Sequence, residues 1–91
     1  MVGYLASSKE GHDKAQIYMI IREERDDVYL ADGHLKKMSR PKKKNRKHIQ
    51  IIKTCDPELT ERLQKGDAVN DEQIAAFIKK YENRMNVSSI I

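Results

Sequence analysis

Ile17-Tyr18-Met19-Ile20-Ile21, or IYMII, is the unbroken apolar run that decides the expected fold of this chain. All five side chains are bulky and favour β-structure. A strand that is apolar on both faces needs cover on both faces, as a central strand of a small closed barrel does. The run therefore predicts a central barrel strand.

Shorter stretches on both sides of this run predict the other strands. Asp32-Gly33 is a strong turn signal, because glycine adopts positive φ without steric cost. Pro41 is expected to end a strand and to leave the lysines after it in a loop. The four further strands are expected at Val2–Ser8, at Val28–Ala31, around Leu35 and Met38, and at His48–Ile52, with a polar loop over Lys9–Lys14 and a turn over Glu23–Asp27. Five short strands within residues 1–53 predict a small β-barrel.

Residues 54–91 have the apolar period of helices and predict a two-helix appendage. Asp56 is expected to cap the first helix, with Pro57 at its first position and Gly66 at its end. A capping box of Asn70 and Gln73 predicts the start of a second helix. Its apolar stripe is expected to pack on the first helix and the barrel, or alternatively to bind a partner protein, and comprises Ile74, Phe77, Ile78, Tyr81 and Met85. Residues 87–91 are expected to fray.

The segment KKMSRPKKKNRK, residues 36–47, carries eight Lys or Arg residues and no acidic residue. Outside it, 10 basic residues face 14 acidic ones, so this segment alone changes the formal charge from −4 to +4. Such a density of positive charge favours an anionic partner, and polyphosphate backbone is the commonest in a cell. A solvated charge run, a nuclear-type address and a patch for anionic lipid are the alternatives.

Size and composition narrow the functional class. A chain of 91 residues with 38% apolar residues forms one small domain and hardly a deep substrate pocket, so we expect neither an enzyme nor a cofactor. Cys55 is the only cysteine, which fits a reducing cytoplasm. No signal peptide or apolar membrane span is expected. The spacing of His12, His34, His48 and Cys55 does not predict a zinc site.

Short motifs stand in order along residues 2–52. The segment Val2–Tyr18, with Gly11-His12-Asp13-Lys14 at its turn, resembles the KOW motif of small nucleic-acid-binding barrels in ribosomal proteins and transcription elongation factors. Ala15 and Gln16 depart from that motif, which usually has a glycine and a basic residue there. Further along, the chain resembles small bacterial KOW-domain RNA-binding proteins in four short segments: Ala31-Asp32-Gly33, Leu35-Lys36-Lys37, Arg40–Asn45 and Lys47–Gln50. Those bacterial proteins are similar in turn to the fourteen-e type of archaeal and eukaryotic large-subunit ribosomal proteins. The resemblance implies a five-stranded SH3-like (KOW) β-barrel that binds RNA.

The basic segment and this resemblance together predict the RNA-binding residues. Lysine and arginine would neutralise phosphates, and the histidines would contact a groove or a phosphate. The predicted set is His12, Lys14, Lys36, Lys37, Arg40, Lys42, Lys43, Lys44, Arg46, Lys47 and His48. His48 could instead cap a barrel edge. Tyr4, Tyr18 and Tyr29 could stack on bases but are left out, because aromatic residues in barrel strands are more often part of the core.

The expected function is therefore to clamp structured RNA, above all ribosomal RNA of the large subunit, without catalysis. The protein is expected to be cytoplasmic and monomeric. The alternative is a transcription or ribosome-assembly adaptor that binds a protein partner through its helical face. In both cases no membrane association is expected.

Overall fold

The fold is mostly β with a helical tail, as the sequence predicts. The computed structural model describes residues 1–9 and 16–90, of which 86–90 are described as backbone only. Its elements are β1 (Tyr4–Ser8), β2 (Ile17–Glu24), β3 (Asp27–Ala31), β4 (Lys42–Asn45), a 3-10 turn (Arg46–His48), β5 (Ile49–Cys55), α1 (Pro57–Lys65) and α2 (Asp71–Ile90). The loop predicted around Gly11 lies outside the described residues.

The five strands form one antiparallel sheet in the order β4-β3-β2-β1-β5. The IYMII run lies in β2, which pairs with β1 through Leu5 and Met19 and with β3 through Ile20 and Leu30. The run is therefore central, as predicted. Strands β4 and β5 stand at opposite edges and, within the described residues, do not pair with each other, so hydrogen bonds do not close the barrel.

One face of the sheet forms a core made only of strand residues. Each member of this cluster is at most 4% exposed, and the members are Ala6, Tyr18, Ile20, Val28, Leu30 and Ile49. Because a flat sheet would leave this face in water, the sheet must curl around it. This curled face is the barrel interior that the apolar run in β2 predicts.

The opposite face of the sheet packs against the two helices. Their shared cluster comprises Leu5, Met19, Ala31, Leu59, Val69, Ile74 and Ile78. Within the apolar stripe of α2, Ile74 and Ile78 are buried, Phe77 and Tyr81 are half-buried, and Met85 is 51% exposed. The prediction that this stripe packs on the barrel is thus confirmed for its first two turns.

The predicted helix signals are confirmed as well. The Asp56 carboxylate accepts hydrogen bonds from the backbone N–H groups of Glu58 and Leu59, at 2.9 and 3.3 Å. Asn70 and Gln73 form the reciprocal capping box, with distances of 3.0 and 2.8 Å. The backbone of α2 is helical to residue 90, so the helix includes residues 87–90 of the segment that is expected to fray.

The prediction of a fourth strand around Leu35 and Met38, with the following lysines in a loop, is wrong. The buried Asp32 carboxylate accepts hydrogen bonds from the backbone N–H groups of His34 and Lys36, at 2.8 and 2.9 Å. These bonds fold the segment into a compact loop, because a side chain satisfies donors that a strand would give to a neighbour. The fourth strand follows Pro41 and consists of Lys42–Asn45.

Several boundaries differ more modestly from the prediction. β1 begins at Tyr4, and β2 continues to Glu24 and is followed by a turn at Arg25 and Asp26. His48 was predicted to open the fifth strand but lies in the 3-10 turn, and β5 runs from Ile49 to Cys55. β1 is thus shorter than predicted, whereas β2, β3 and β5 are longer, because backbone pairing tolerates the polar residues at their ends.

Candidate nucleic-acid interface

The predicted RNA-binding residues that the structure describes follow one another along one side of the sheet. They lie in the loop after β3 (Lys36, Lys37, Arg40), in β4 (Lys42, Lys43, Lys44) and in the 3-10 turn (Arg46, Lys47, His48). His12 and Lys14 lie outside the described residues. A continuous basic strip of this kind matches the repeating charge of a phosphate backbone.

The register of β4 sends its lysines to both faces of the sheet. Lys42 and Lys44 pair with Leu30 and Val28, so they lie on the face of the barrel interior. Both are half-buried, which places their aliphatic stems against apolar residues. The Lys42 ammonium nitrogen is 5.7 Å from the centroid of the Tyr18 ring.

Lys43 lies on the opposite, outer face of the sheet, paired with Tyr29. Its side chain is 60% exposed, and its ammonium nitrogen is 3.7 Å from an Asp27 carboxylate oxygen. An exposed ion pair of this length contributes little stability. The Lys43 ammonium group can therefore exchange Asp27 for a phosphate at small cost.

Arg46 is engaged within the protein. Its Nε donates a hydrogen bond to the backbone oxygen of Arg25 at 2.8 Å, and one terminal nitrogen lies 2.5 Å from a Glu23 carboxylate oxygen. The backbone N–H of Arg46 also donates a hydrogen bond to the backbone oxygen of Asp26 at 2.8 Å. Arg46 therefore fastens the 3-10 turn to the β2–β3 hairpin, and a phosphate would have to compete with these partners.

The other two residues of the turn differ in exposure. Lys47 is exposed, and its backbone N–H donates to the Asn45 side-chain oxygen at 3.1 Å. His48 is half-buried, and its backbone oxygen accepts a hydrogen bond from Lys9 at 2.9 Å. We define the basic edge as the seven cations Lys36, Lys37, Arg40, Lys42, Lys43, Lys44 and Lys47.

Glu23 links the hairpin to two cations. One carboxylate oxygen accepts hydrogen bonds from the Met1 amino group at 2.7 Å and from the Val2 backbone at 3.2 Å, while the other contacts Arg46. The hydrogen bond from the amino group, together with the Arg46 contact, holds the pKa of Glu23 below its usual value of 4.5 despite partial burial.

This lowered pKa predicts a loss of stability in acid. Because the folded pKa lies below the unfolded one, the contribution of Glu23 is complete above about pH 4.5 and is lost as the pH falls through the folded pKa. We expect Glu23→Gln to lower the free energy of unfolding by about 1–2 kcal/mol at pH 7 and to flatten its pH dependence. Urea denaturation at several pH values measures both effects.

Glu61→Gln is the matched control for Glu23→Gln. Glu61 forms an exposed pair with Lys65 one helical turn away, at 2.7 Å. We expect this substitution to change stability by less than about 0.5 kcal/mol. Equal effects of the two substitutions would contradict a special role of Glu23.

The loop after β3 has a fixed backbone, which positions its three cations. The second Asp32 carboxylate oxygen accepts a hydrogen bond from the Gln16 side chain at 3.0 Å. The backbone N–H of Met38 donates to the Asp71 carboxylate of α2 at 2.7 Å, and that of Arg40 donates to the Lys37 oxygen at 3.0 Å. A fixed backbone reduces the entropy that is lost when a ligand binds.

The prediction omitted Arg22, which extends the surface around Lys43. Arg22, Tyr29 and Lys43 are cross-strand neighbours on the outer face of β2, β3 and β4. The Arg22 guanidinium carbon is 4.0 Å from the centroid of the half-buried Tyr29 ring. The alternation of Val28, Tyr29 and Leu30 is the sequence signal that could have placed Tyr29 on the outer face.

The Tyr29 hydroxyl donates a hydrogen bond to Glu24 at 2.6 Å. This bond lowers the pKa of Glu24, and the positive charges of Arg22 and Lys43 lower it further. The contact also fixes the direction of the ring. Tyr18, by contrast, is 4% exposed and belongs to the core, as is usual for an aromatic residue on a barrel strand.

Within the residues that the structure describes, neither a metal-binding cluster nor a membrane-spanning helix is present. No group of three or more His, Cys, Asp or Glu side chains among them is arranged to hold a metal ion. In the same part of the chain, no helix is both long enough and apolar enough to cross a membrane.

Comparisons with known proteins do not assign the chain to a family. A scan against protein-family models found no match, and a search of the curated proteins found none either.

Proposed function

We propose that this protein is a KOW-type RNA-binding protein, and that it clamps structured RNA, above all ribosomal RNA of the large subunit. The observation that carries the proposal is the basic edge: three consecutive lysines are three of the four residues of a strand at the rim of the sheet, and further cations flank it on both sides. The resemblance of residues 2–52 to KOW proteins supports RNA as the anion that the basic edge binds.

Electrostatics would supply most of the affinity. Each phosphate that a lysine neutralises releases condensed counterions, so binding is favourable at low salt and is insensitive to base sequence. The β4 lysines are spaced along an extended backbone and reach both faces of its edge. A strand with this geometry can follow a phosphate backbone with several ammonium groups at once.

The proposed mechanism is binding without catalysis and without a cofactor, and the proposed location is the cytoplasm. The barrel holds the basic edge in a fixed shape, while Asp32, Asp71 and Glu23 hold the segments beside it. A fixed backbone beneath the cations favours RNA whose phosphates already have a fixed arrangement, such as a folded ribosomal RNA.

The salt dependence of binding tests the electrostatic part of this proposal. We expect the logarithm of the association constant for an RNA hairpin to fall linearly with the logarithm of the salt concentration. The expected slope is about −3 to −6, since each of the seven cations contributes at most about −0.7 on a single strand and about −0.9 on a duplex. A slope near zero would contradict binding through the basic edge.

Ultraviolet crosslinking in cells, followed by sequencing of the attached RNA, tests the proposed target. Reads concentrated at one site of large-subunit ribosomal RNA would support the proposal. Reads scattered over all abundant RNAs would contradict a specific ribosomal target.

The second candidate function, a transcription or ribosome-assembly adaptor, is favoured by a groove between α1 and α2. Two adjoining hollows of about 280 and 240 Å³ share Asp56, Phe77 and Lys80 as lining residues. The half-buried Phe77 ring offers an apolar contact there. RNA recovery that survives neutralisation of the β4 lysines but is lost in a folded Phe77→Asp variant would favour the adaptor.

A further inference from the structure

A hollow of about 420 Å³ lies on the outer face of the sheet, next to the basic edge. It is lined by Ile21, Arg22, Tyr29, Met38, Ser39 and Pro41. Two of these side chains have flat π surfaces, three are apolar, and Ser39 offers one neutral hydroxyl group. The volume is within the range of small-ligand sites.

We propose that this hollow binds one unpaired nucleobase of an RNA whose backbone lies on the basic edge. The inference rests on the proposed function and deepens it, because it names the element that the RNA must contain: an unpaired base in a bulge or loop. A fully paired duplex keeps its bases stacked inside and offers none.

The chemistry of the hollow matches a base. A nucleobase has two apolar π faces and a polar rim. Bases stack on aromatic rings and on guanidinium planes. The Arg22 guanidinium carbon already lies 4.0 Å over the Tyr29 ring, so a base would stack on the exposed Arg22 guanidinium or take its place on the ring. The apolar walls accept a flat ring, and the Ser39 hydroxyl can hydrogen-bond to its rim.

The surrounding charge indicates a polyanion as the molecule that carries this base. Tyr29 is the cross-strand neighbour of Lys43, and such neighbours have their Cβ atoms about 5 Å apart. A base at Tyr29 therefore brings its own phosphate within reach of the Lys43 ammonium group. Arg40 precedes Pro41 in the wall and is exposed, so a second cation lies along the same path.

The walls of the hollow are held in place before any ligand binds. The hydrogen bond from Tyr29 to Glu24 fixes the ring, and the one from Met38 to Asp71 fixes the backbone of the opposite wall. Pro41 has a restricted backbone of its own. Little ordering would be needed on binding, and this favours a defined subsite.

Two RNAs that differ by one nucleotide test the inference: a perfectly paired duplex, and the same duplex with a single bulged 2-aminopurine. We expect the wild-type protein to bind the bulged RNA about tenfold more tightly and to change the 2-aminopurine fluorescence as the base stacks. Tyr29→Leu is expected to bring the two affinities together and to abolish the fluorescence change.

Tyr4→Leu is the matched control, since Tyr4 is also a half-buried tyrosine on a strand but does not line the hollow. We expect this variant to keep the preference for the bulged RNA. Equal wild-type affinities for both RNAs, without a fluorescence change, would overturn the base site and leave the proposed RNA binding intact. Wild-type protein that bound neither RNA would overturn both.

Discussion

Replacing Gly33 by alanine is expected to lower the free energy of unfolding by about 3 kcal/mol. Gly33 has φ +83°, where an L-residue is strained by about 1–2 kcal/mol. A Cβ atom there would lie 2.3 Å from the Asp71 backbone oxygen and 3.0 Å from the Ala75 Cβ atom. The loop or the start of α2 would have to move, and forced shifts in packed regions cost about 1–3 kcal/mol.

Gly66→Ala separates the packing effect from the backbone effect. Gly66 has φ +78° at the end of α1, but a Cβ atom there meets nothing within 4 Å. We expect this substitution to lower the free energy of unfolding by only about 1 kcal/mol, because it introduces backbone strain alone. Urea denaturation of both variants measures the difference, and equal losses would show that Gly33 is not required for packing of the loop on α2.

Neutralising Lys42, Lys43 and Lys44 together, each to Gln, is expected to weaken RNA binding about 100-fold at low salt. Each lysine that contacts a phosphate contributes about 1 kcal/mol, and about 1.4 kcal/mol corresponds to a factor of ten. The salt slope should become shallower by about 2, because three phosphates would no longer be neutralised. Filter binding or fluorescence anisotropy over a salt series measures both quantities.

The control for this variant changes the same net charge elsewhere. Lys53, Lys65 and Lys79 are exposed and lie on β5, α1 and α2, away from the basic edge. We expect their replacement by Gln to weaken RNA binding by less than about threefold, because it changes only the long-range electrostatic field of the protein. Similar losses in the two triple variants would mean that overall charge, and not the basic edge, determines RNA binding.

The elements that could be predicted from the sequence are those with local signals. The apolar run in β2 needs no partner to be read as a strand, and Asp56, Asn70 and Gln73 mark helix starts through bonds within a few residues. Such contacts depend on short spacing, which is visible in the sequence.

The missed features depend on contacts between residues that are far apart in sequence. Lysine has a low strand propensity, so Lys42–Asn45 looks like a loop until β3 is available to pair with it. Likewise, nothing near Arg46 indicates that Glu23 will lie beside it. The candidate site was therefore predicted as a set of charges, while the burial of the Lys42 and Lys44 stems and the engagement of Arg46 with Glu23 required the fold.

The position of β4 at the rim also bears on how copies of this protein meet one another. A rim strand presents backbone groups to which a strand of a second molecule could add, the usual route to aggregation. Here that strand is three-quarters lysine, so two such rims repel each other at close range. A bound polyanion would cancel this repulsion, so the ammonium groups that would hold RNA would also oppose pairing of two free molecules through β4.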